Sequence, residues 1–304
     1  MKKVLKIIGI VVLVIIVLLI ILLIALSLKP SVPENYTNTV KTGGDIETKY
    51  LKNGSYDVEY YEQSVMQNFK KYEIWYPSEM KTSDKKYPVI VVSNGTGVKA
   101  SKCQSMFEHF ASWGFIIIGT EEEYSWNGFS ADMCLNFLIR SNENKESIFY
   151  QKIDSDNIGS VGHSQGGVGV FNSLTEIKNK NMFKCAVSES PTNVELANNL
   201  DWYYDISKVN VPMFMVAGTG NFDANTVIPI DKMNKLYDSL DVPKVMARHS
   251  DTDHGDILYS CDDYVTAWFM WQLKGDKEAA KAFIGNSPEL MNNSMYQDQK
   301  INIE

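Results

Sequence analysis

The sequence predicts an α/β fold with a mostly parallel sheet flanked by helices, preceded by one N-terminal transmembrane helix. Three observations lead to this prediction: short apolar runs alternate with amphipathic segments, a glycine-rich turn directly follows one of these runs, and residues Ile7–Leu28 carry no charge. Strands and helices in strict turn are typical of parallel sheets joined by right-handed crossovers.

The apolar run Ile7–Leu28 is long enough to cross a bilayer as one helix, for which about 20 residues suffice. Lys2, Lys3 and Lys6 precede it, so the positive-inside rule predicts a single-pass cell-membrane protein with everything after the run outside the cytoplasm. The alternative is a signal peptide that is cleaved to release a secreted protein. The apolar region of a signal peptide is usually shorter, about 7–15 residues, which favours the anchor.

The chain is predicted to have three parts. Residues 1–29 form a cytoplasmic tip and signal-anchor, and residues 30–52, rich in Pro, Asn, Thr, Gly and Lys, read as a stalk. Residues 53–304 form one domain, since no repeat or second linker is visible. Without residues 1–29 the chain has 25 basic and 37 acidic residues, a net charge of −12. Nucleic-acid binding is therefore not expected.

Apolar periodicity defines the elements of this domain. The first two strands alternate aromatic and polar residues, as in an antiparallel pair, and the later ones are almost wholly apolar, as in strands buried on both faces. The predicted strands are Tyr56–Tyr61, Tyr72–Tyr76, Pro88–Ser93, Phe115–Gly119, Ile158–Gly162, Lys184–Ser188, Met213–Ala217 and Lys244–Arg248. The predicted helices, with apolar residues three and four apart, are Ala100–Trp113, Ala131–Arg140, Gln165–Ile177, Ile230–Leu240 and Asp262–Leu273.

Four cysteines lie in this domain, at positions Cys103, Cys134, Cys185 and Cys261. Outside the cytoplasm they allow two disulfides in any of three pairings, and four buried free thiols are the alternative. The chain has no C-x-x-C motif, so a zinc knuckle or a thioredoxin-type site is not predicted.

Gly162–Gly166 reads G-H-S-Q-G, a G-x-S-x-G motif between a predicted strand and a predicted helix. This context is that of a nucleophile elbow, in which a tight turn exposes the serine at the end of the sheet. The glycines leave room for the turn, and Ser164 is the predicted nucleophile. An ordinary glycine-rich turn is the alternative.

A serine needs a base to take its proton, and the chain has four histidines. His109 lies inside a predicted helix, and His163 is expected to point away from Ser164. His249 is at the end of a strand and is expected to pack. His254 lies in the predicted loop after the last strand, where a base can reach over the strand ends, and is the predicted base.

The base needs a carboxylate to fix its tautomer. Asp223 follows the strand Met213–Ala217 and precedes His254 in the chain, which is the expected order. Asp231 is expected to cap the next helix, and Asp205 lies in the preceding loop; both remain alternatives.

Two N–H groups are needed to stabilise an oxyanion. The residue after the nucleophile provides one, the backbone of Gln165. The loop Asn94–Gly97 follows the strand Pro88–Ser93, and its glycines allow a close approach of the backbone, so Thr96 N–H is the predicted second donor.

These motifs resemble those of the α/β-hydrolase superfamily, and most closely the cutinase-like polyester hydrolases, the plant chlorophyllases and the platelet-activating-factor acetylhydrolase and dienelactone hydrolase group. The resemblance covers residues 55–285 and rests on Asn94–Gly97, FASWGFIIIGT (Phe110–Thr120), KIDSDNIGSVGHSQGG (Lys152–Gly167), Asp223 and DHGD (Asp253–Asp256). It implies a triad of Ser164, Asp223 and His254 and oxyanion donors at Thr96 and Gln165.

The expected function is therefore that of a serine hydrolase that cleaves a small-molecule or polymeric carboxylic ester without a cofactor. Three alternatives remain. The same triad serves amidases and peptidases, a hydrolase scaffold can act as a non-catalytic surface-binding protein, and Asp251, Asp253, His254 and Asp256 include metal-ligand types.

The segment Ser188–Val211 is too short for a large lid, so an open substrate cleft is predicted. Five aromatic residues follow strands and are candidates for lining it, although aromatic side chains in a core or rim are the alternative. They are Tyr124, Trp126, Trp202, Tyr203 and Tyr204.

Overall fold

The computed structural model describes residue 12, residues 14–19 and residues 29–303. The predicted membrane-spanning run Ile7–Leu28 lies for the most part outside the described residues. Within the described ones, no helix is both long and apolar enough to cross a bilayer.

The described residues form one nine-stranded sheet with the strand order β1-β2-β4-β3-β5-β6-β7-β8-β9. Strands β3 to β8 are parallel to one another, whereas β1, β2 and β9 run antiparallel to their neighbours. The strands are β1 Val58–Ser64, β2 Lys71–Pro77, β3 Tyr87–Ser93, β4 Ile116–Thr120, β5 Ile153–His163, β6 Phe183–Glu189, β7 Met213–Gly218, β8 Lys244–His249 and β9 Tyr296–Asn302. The mostly parallel sheet of the predicted fold class is thus confirmed.

Helices connect the strands and cover both faces of the sheet. From residue 29 onward they are α1 Tyr36–Thr39, α2 Asp45–Leu51, α3 Gln104–Ser112, α4 Phe129–Glu143, α5 Gln165–Thr175, α6 Val194–Asn199, α7 Ile230–Ser239, α8 His254–Ser260, α9 Asp262–Lys274, α10 Lys277–Ala280 and α11 Glu289–Asn292. The predicted helix Ala100–Trp113 is divided, because residues Ala100–Lys102 form a 3-10 turn before α3 begins.

Two hydrophobic layers explain why the central strands lack an alternating pattern. In β3, Ile90 and Val92 pack into the layer that contains α3 and α9, and Val89 and Val91 pack into the layer that contains α4, α5 and α7. Both faces of the strand are therefore buried, as the continuous apolar run predicts.

Residues 30–52 do not form the predicted stalk. Val32, Tyr36 and Tyr50 are fully buried, and α2 packs against α9. The Tyr50 hydroxyl donates a hydrogen bond to Asp276 at 2.8 Å, and the Tyr36 hydroxyl donates one to Asp262. The prediction is wrong because a few large side chains anchor this otherwise polar segment, so the folded domain begins well before residue 53.

Strand β9, helix α8 and the short helices α1, α2, α6, α10 and α11 were not predicted. Strand β9 pairs with β8, and its residues YQDQKIN are mostly polar because it is an edge strand. Helix α8 begins at His254, so His254 lies in the first turn of a helix and not in a loop. Asp253 is the N-cap of this helix, so the loop that was predicted to extend to Asp256 ends at Asp253.

All four cysteines are buried free thiols. The two-disulfide alternative is therefore wrong, and the free-thiol alternative is the one the structure supports. Burial raises the pKa of the Cys103 thiol to about 12, so this thiol is unreactive at neutral pH.

Candidate active site

The turn at Ser164 has the strained geometry of a nucleophile elbow. Ser164 joins β5 to α5 with a backbone φ of 59° and ψ of −119°, a conformation that side chains rarely adopt. Both flanking glycines are required for space. A Cβ at Gly166 would lie 2.0 Å from the carbonyl oxygen of Ser93, and one at Gly162 would lie 2.3 Å from that of Gly166. The backbone around the turn therefore packs closely and holds Ser164 at the carboxyl end of the sheet.

His254 lies directly opposite this turn. Its Nε2 is 2.8 Å from Ser164 Oγ, and its Nδ1 is 2.8 Å from Asp223 Oδ1. A carboxylate only accepts, so Nδ1 carries the proton and donates to Asp223. Nε2 is then free to accept the hydroxyl proton of Ser164. Three residues far apart in the sequence thus form one continuous hydrogen-bonded chain.

Asp223 is completely buried, and both of its carboxylate oxygens are hydrogen-bonded. Oδ1 accepts from His254, and Oδ2 accepts from Ser190 Oγ at 2.5 Å and from the backbone N–H of Gly218 at 2.7 Å. These three donors stabilise a negative charge on the carboxylate in an apolar surrounding. Sequence reasoning missed Ser190, which contacts the acid from the end of the neighbouring strand.

The loop after β3 lies against the elbow, as predicted. A Cβ at Gly95 would lie 3.7 Å from Ser164 Cβ, so the backbone of Gly95 and the adjacent Thr96 borders the nucleophile. The Asn94 side chain fixes this loop by donating to the carbonyl oxygens of Thr120 and Glu122, both at 2.7 Å.

Gln165 is the first residue of α5 and follows the nucleophile, so its backbone N–H lies at the N-terminal end of the helix. The unpaired N–H groups of such an end favour negative charge. The two predicted oxyanion donors, Thr96 and Gln165, therefore lie on two backbone segments that border Ser164.

Residues 34–299 match the family model described as PETase, PET hydrolase-like. The chain belongs to the PET hydrolase-like family. This family is part of the α/β-hydrolase superfamily and of its cutinase-like polyester hydrolases, so the predicted resemblance is confirmed. A comparison with curated proteins gives no significant match. Family membership thus supports a serine ester hydrolase of the α/β-hydrolase type.

In this PET hydrolase-like chain, His163 supports the histidine of the site. The two imidazole rings are 4.5 Å apart with an interplanar angle of 38°, and His163 Nε2–H donates to the carbonyl oxygen of His254 at 2.7 Å. Burial, followed by repulsion from His254, lowers the pKa of His163 to about 3. His163 is therefore neutral at physiological pH and adds no charge beside His254. The sequence places His163 next to Ser164 but gives no signal for its contact with His254.

The aromatic residues predicted for substrate contact lie on two loops that are joined to each other. Tyr124 is 57% exposed and Tyr203 is 59% exposed, whereas Trp126 and Trp202 are half-buried. Asn172 in α5 donates to the carbonyl oxygens of Trp126 at 2.8 Å and of Tyr203 at 2.9 Å. One side chain therefore connects the two loops.

Tyr204, the fifth aromatic candidate, points inward. Its ring stacks on Phe171, and its hydroxyl donates to the carbonyl oxygen of Thr192. Phe222, which sequence reasoning missed, is 50% exposed and lies edge-to-face on His254, with ring centres 5.4 Å apart. Its position just before Asp223 was the only signal.

The rejected candidates have structural roles. Asp205 caps a 3-10 turn, and Asp231 lies in the first turn of α7. His249 is buried against Tyr296, with ring centres 4.8 Å apart, and bonds to Thr252. His109 Nδ1 lies 2.7 Å from a carboxylate oxygen of Asp262, and both side chains are buried.

The metal-binding interpretation of residues 251–256 loses two of its ligands. The Asp253 carboxylate accepts backbone N–H groups, and both ring nitrogens of His254 are bonded to Asp223 and Ser164. Across the part of the chain that the structure describes, no three His, Cys, Asp or Glu side chains are grouped in a way that suits a metal ion.

Proposed function

We propose that the protein is a carboxylic ester hydrolase in which Ser164 is the nucleophile, His254 the general base and Asp223 the acid that orients it. One observation carries this proposal: the chain of two 2.8 Å contacts from Ser164 Oγ through His254 to Asp223, which begins on a strained elbow. A structural cluster has no need of a strained serine, whereas a nucleophile must stand clear of the sheet.

In the acylation step, Ser164 Oγ attacks the acyl carbon as its proton passes to His254 Nε2. Asp223 stabilises the imidazolium that forms, and the N–H groups of Thr96 and Gln165 donate to the oxyanion. The tetrahedral intermediate then collapses. The ester C–O bond breaks, and His254 returns its proton to the leaving alcohol.

Deacylation repeats the same steps with water as the nucleophile. His254 takes a proton from the water, the hydroxide oxygen attacks the acyl carbon, and the Ser164 C–O bond breaks as Ser164 regains its proton. The carboxylic acid leaves. The two steps together use these side chains, two backbone N–H groups and one water molecule.

Family membership and the exposed aromatic side chains support our choice of substrate class. The family name refers to a polyester, and the exposed rings of Tyr124, Tyr203 and Phe222 offer apolar contact surface on three loops. We therefore favour a small-molecule or polymeric ester with an apolar or aromatic part, bound in an open cleft.

We also propose that residues 1–29 anchor the chain once in the cell membrane, with the hydrolase domain outside. The uncharged run Ile7–Leu28 and the three lysines before it support this orientation. The backbone N–H of Ser31 donates to the carbonyl oxygen of Lys102 at 2.8 Å, so the domain would follow the anchor with almost no spacer. Recovery of the protein in carbonate-washed membranes supports the anchor, and recovery of a shortened chain in the medium indicates cleavage.

The activity is tested with p-nitrophenyl esters of short and medium acyl chains. The full chain in mild detergent is compared with Ser164→Ala, His254→Ala and the control Ser239→Ala, which alters an exposed serine of α7. We expect the two site variants to lose activity by a factor of about 10⁴ or more while the control keeps it.

Ester hydrolysis that survives Ser164→Ala would contradict the mechanism. Labelling of Ser164 by a fluorophosphonate without any ester hydrolysis would instead favour an amide substrate for the same triad.

A further inference from the structure

Asp253 joins the two segments that carry the acid and the base. Its Oδ1 accepts three backbone N–H groups: that of His254 at 2.8 Å, that of Asp223 at 3.0 Å and that of Phe222 at 3.1 Å. Phe222 N–H also lies 3.2 Å from Oδ2. One carboxylate therefore binds both the residue that orients the base and the base itself.

We propose that Asp253 is a positioning residue that keeps Asp223 and His254 aligned with each other and contributes a negative charge beside the His254 imidazolium. This inference rests on the proposed function of the Ser164, His254 and Asp223 chain. It assigns to Asp253 no contact with the substrate.

The pattern of bonds differs from that of an ordinary helix cap. A capping side chain normally accepts from the second or third N–H of its own helix. Asp253 accepts only from the first residue of α8, and its other partners belong to a segment 30 and 31 residues earlier in the chain. Asp253 therefore mainly connects two loops, and its role as a cap of α8 is smaller.

Other contacts hold the two loops near each other without Asp253. Gly220 N–H donates to the carbonyl oxygen of Thr252 at 2.8 Å, and Asp251 N–H donates to Thr219 Oγ1 at 3.0 Å. Loss of the Asp253 carboxylate is therefore expected to shift the alignment of Asp223 and His254 and to leave the fold intact.

Few charged or titratable groups face His254. They are the Asp223 carboxylate from the segment after β7, the His163 ring from the end of β5, and Asp253 beside it in the chain. Asp256, on the same helix, accepts a hydrogen bond from the Tyr259 hydroxyl at 2.6 Å. The bond from Asp223 N–H is the main cause that lowers the pKa of Asp253, so Asp253 is a carboxylate at neutral pH.

Two substitutions separate geometry from charge. Asp253→Asn keeps an oxygen that can accept the same three N–H groups and removes the charge, whereas Asp253→Ala removes both. Asp205→Asn is the matched control, because Asp205 also caps a helical turn and its removal deletes the same charge away from His254.

The readout is the rate at which a fluorophosphonate labels Ser164 in the full chain in detergent, between about pH 5 and pH 9. Removing an anion near His254 makes the imidazolium less stable and lowers the pKa of the base. The acid limb of the rate profile should therefore shift to lower pH by about 0.5 unit in Asp253→Asn. The plateau rate of this variant should stay within about threefold of wild type. In Asp253→Ala the plateau should also fall by about tenfold.

An acid limb that is the same in wild type, Asp253→Asn and Asp253→Ala would overturn the inference, even if both variants were less stable. A limb that moves equally in Asp205→Asn would overturn it as well. Wild-type Ser164 that is labelled at no pH would contradict the proposed function and this inference together, and the two failures are thus distinguishable.

Discussion

Two buried clusters of acids in this molecule differ in how completely their oxygens are bonded. At the active site, the two oxygens of Asp223 accept from Ser190, Gly218 and His254. At the seam between α2 and α9, Glu47 Oε1 and Asp263 Oδ2 are buried without a hydrogen-bond partner. All three carboxyl groups are fully buried, so burial alone does not distinguish the two sites.

At the seam, burial outweighs the hydrogen bonds that Glu47 Oε2 accepts from Gly43, Gly44 and Asn293. Burial raises the pKa of Glu47 and of Asp263, and the mutual repulsion of the two groups adds to the shift for Asp263. The seam acids are therefore held toward their neutral forms. At the active site, three donors contact the Asp223 carboxylate, and a histidine base requires a carboxylate beside it.

The comparison is tested most strongly by the same chemical change at each site. Asp223→Asn is expected to lower kcat by about 10⁴-fold, because an amide in place of the carboxylate favours the wrong tautomer of His254. The melting temperature should change little, since Asn fills the same space. Steady-state kinetics with the best p-nitrophenyl ester measures the loss, and a kcat within tenfold of wild type would remove Asp223 from the triad.

A smaller effect is expected from Ser190→Ala. This change deletes one donor to Asp223 Oδ2 and leaves the Gly218 N–H in place. A hydrogen bond to a charged group contributes about 1.5–3 kcal/mol, so kcat should fall by roughly tenfold or somewhat more. An unchanged kcat would show that Ser190 is not needed to hold the acid.

Glu47→Gln is expected to have no effect on activity. Folding raises the pKa of Glu47. Its contribution to stability is therefore complete below the pKa that it has in the unfolded chain. This contribution is lost as the pH rises above that value and through the pKa of the folded state. Glutamine does not ionise, so the variant should match wild type near pH 4 and melt about 3 °C higher near pH 9.

Calorimetry in the two buffers checks this seam prediction, and ester hydrolysis is its control. Equal melting temperatures of wild type and Glu47→Gln near pH 9 would show that Glu47 does not destabilise the fold at high pH.

The parts that could be predicted from the sequence are those with local signals. The central strands are continuous apolar runs because both of their faces are buried, and the glycines around Ser164 mark a turn that only they allow. The sequence order also singled out Asp223 and His254, the two residues that the structure brings to Ser164.

The parts that could not be predicted depend on contacts between distant residues. Tyr36 is anchored by Asp262, 226 positions later, so nothing local distinguishes residues 30–52 from a stalk. Strand β9 is recognised only by its pairing with β8. The contact of His163 with His254 and the three bonds of Asp253 likewise require both loops to be in place.

The central claim is that Ser164 carries the acyl group during ester hydrolysis. The most direct measurement is peptide mass spectrometry of the full chain after rapid acid quenching during turnover of a p-nitrophenyl ester. We predict an acyl adduct on the peptide that contains Ser164, which Ser164→Ala lacks and which accumulates when deacylation is slow. Hydrolysis with an adduct on a different residue, or with equal rates in wild type and Ser164→Ala, would contradict the account.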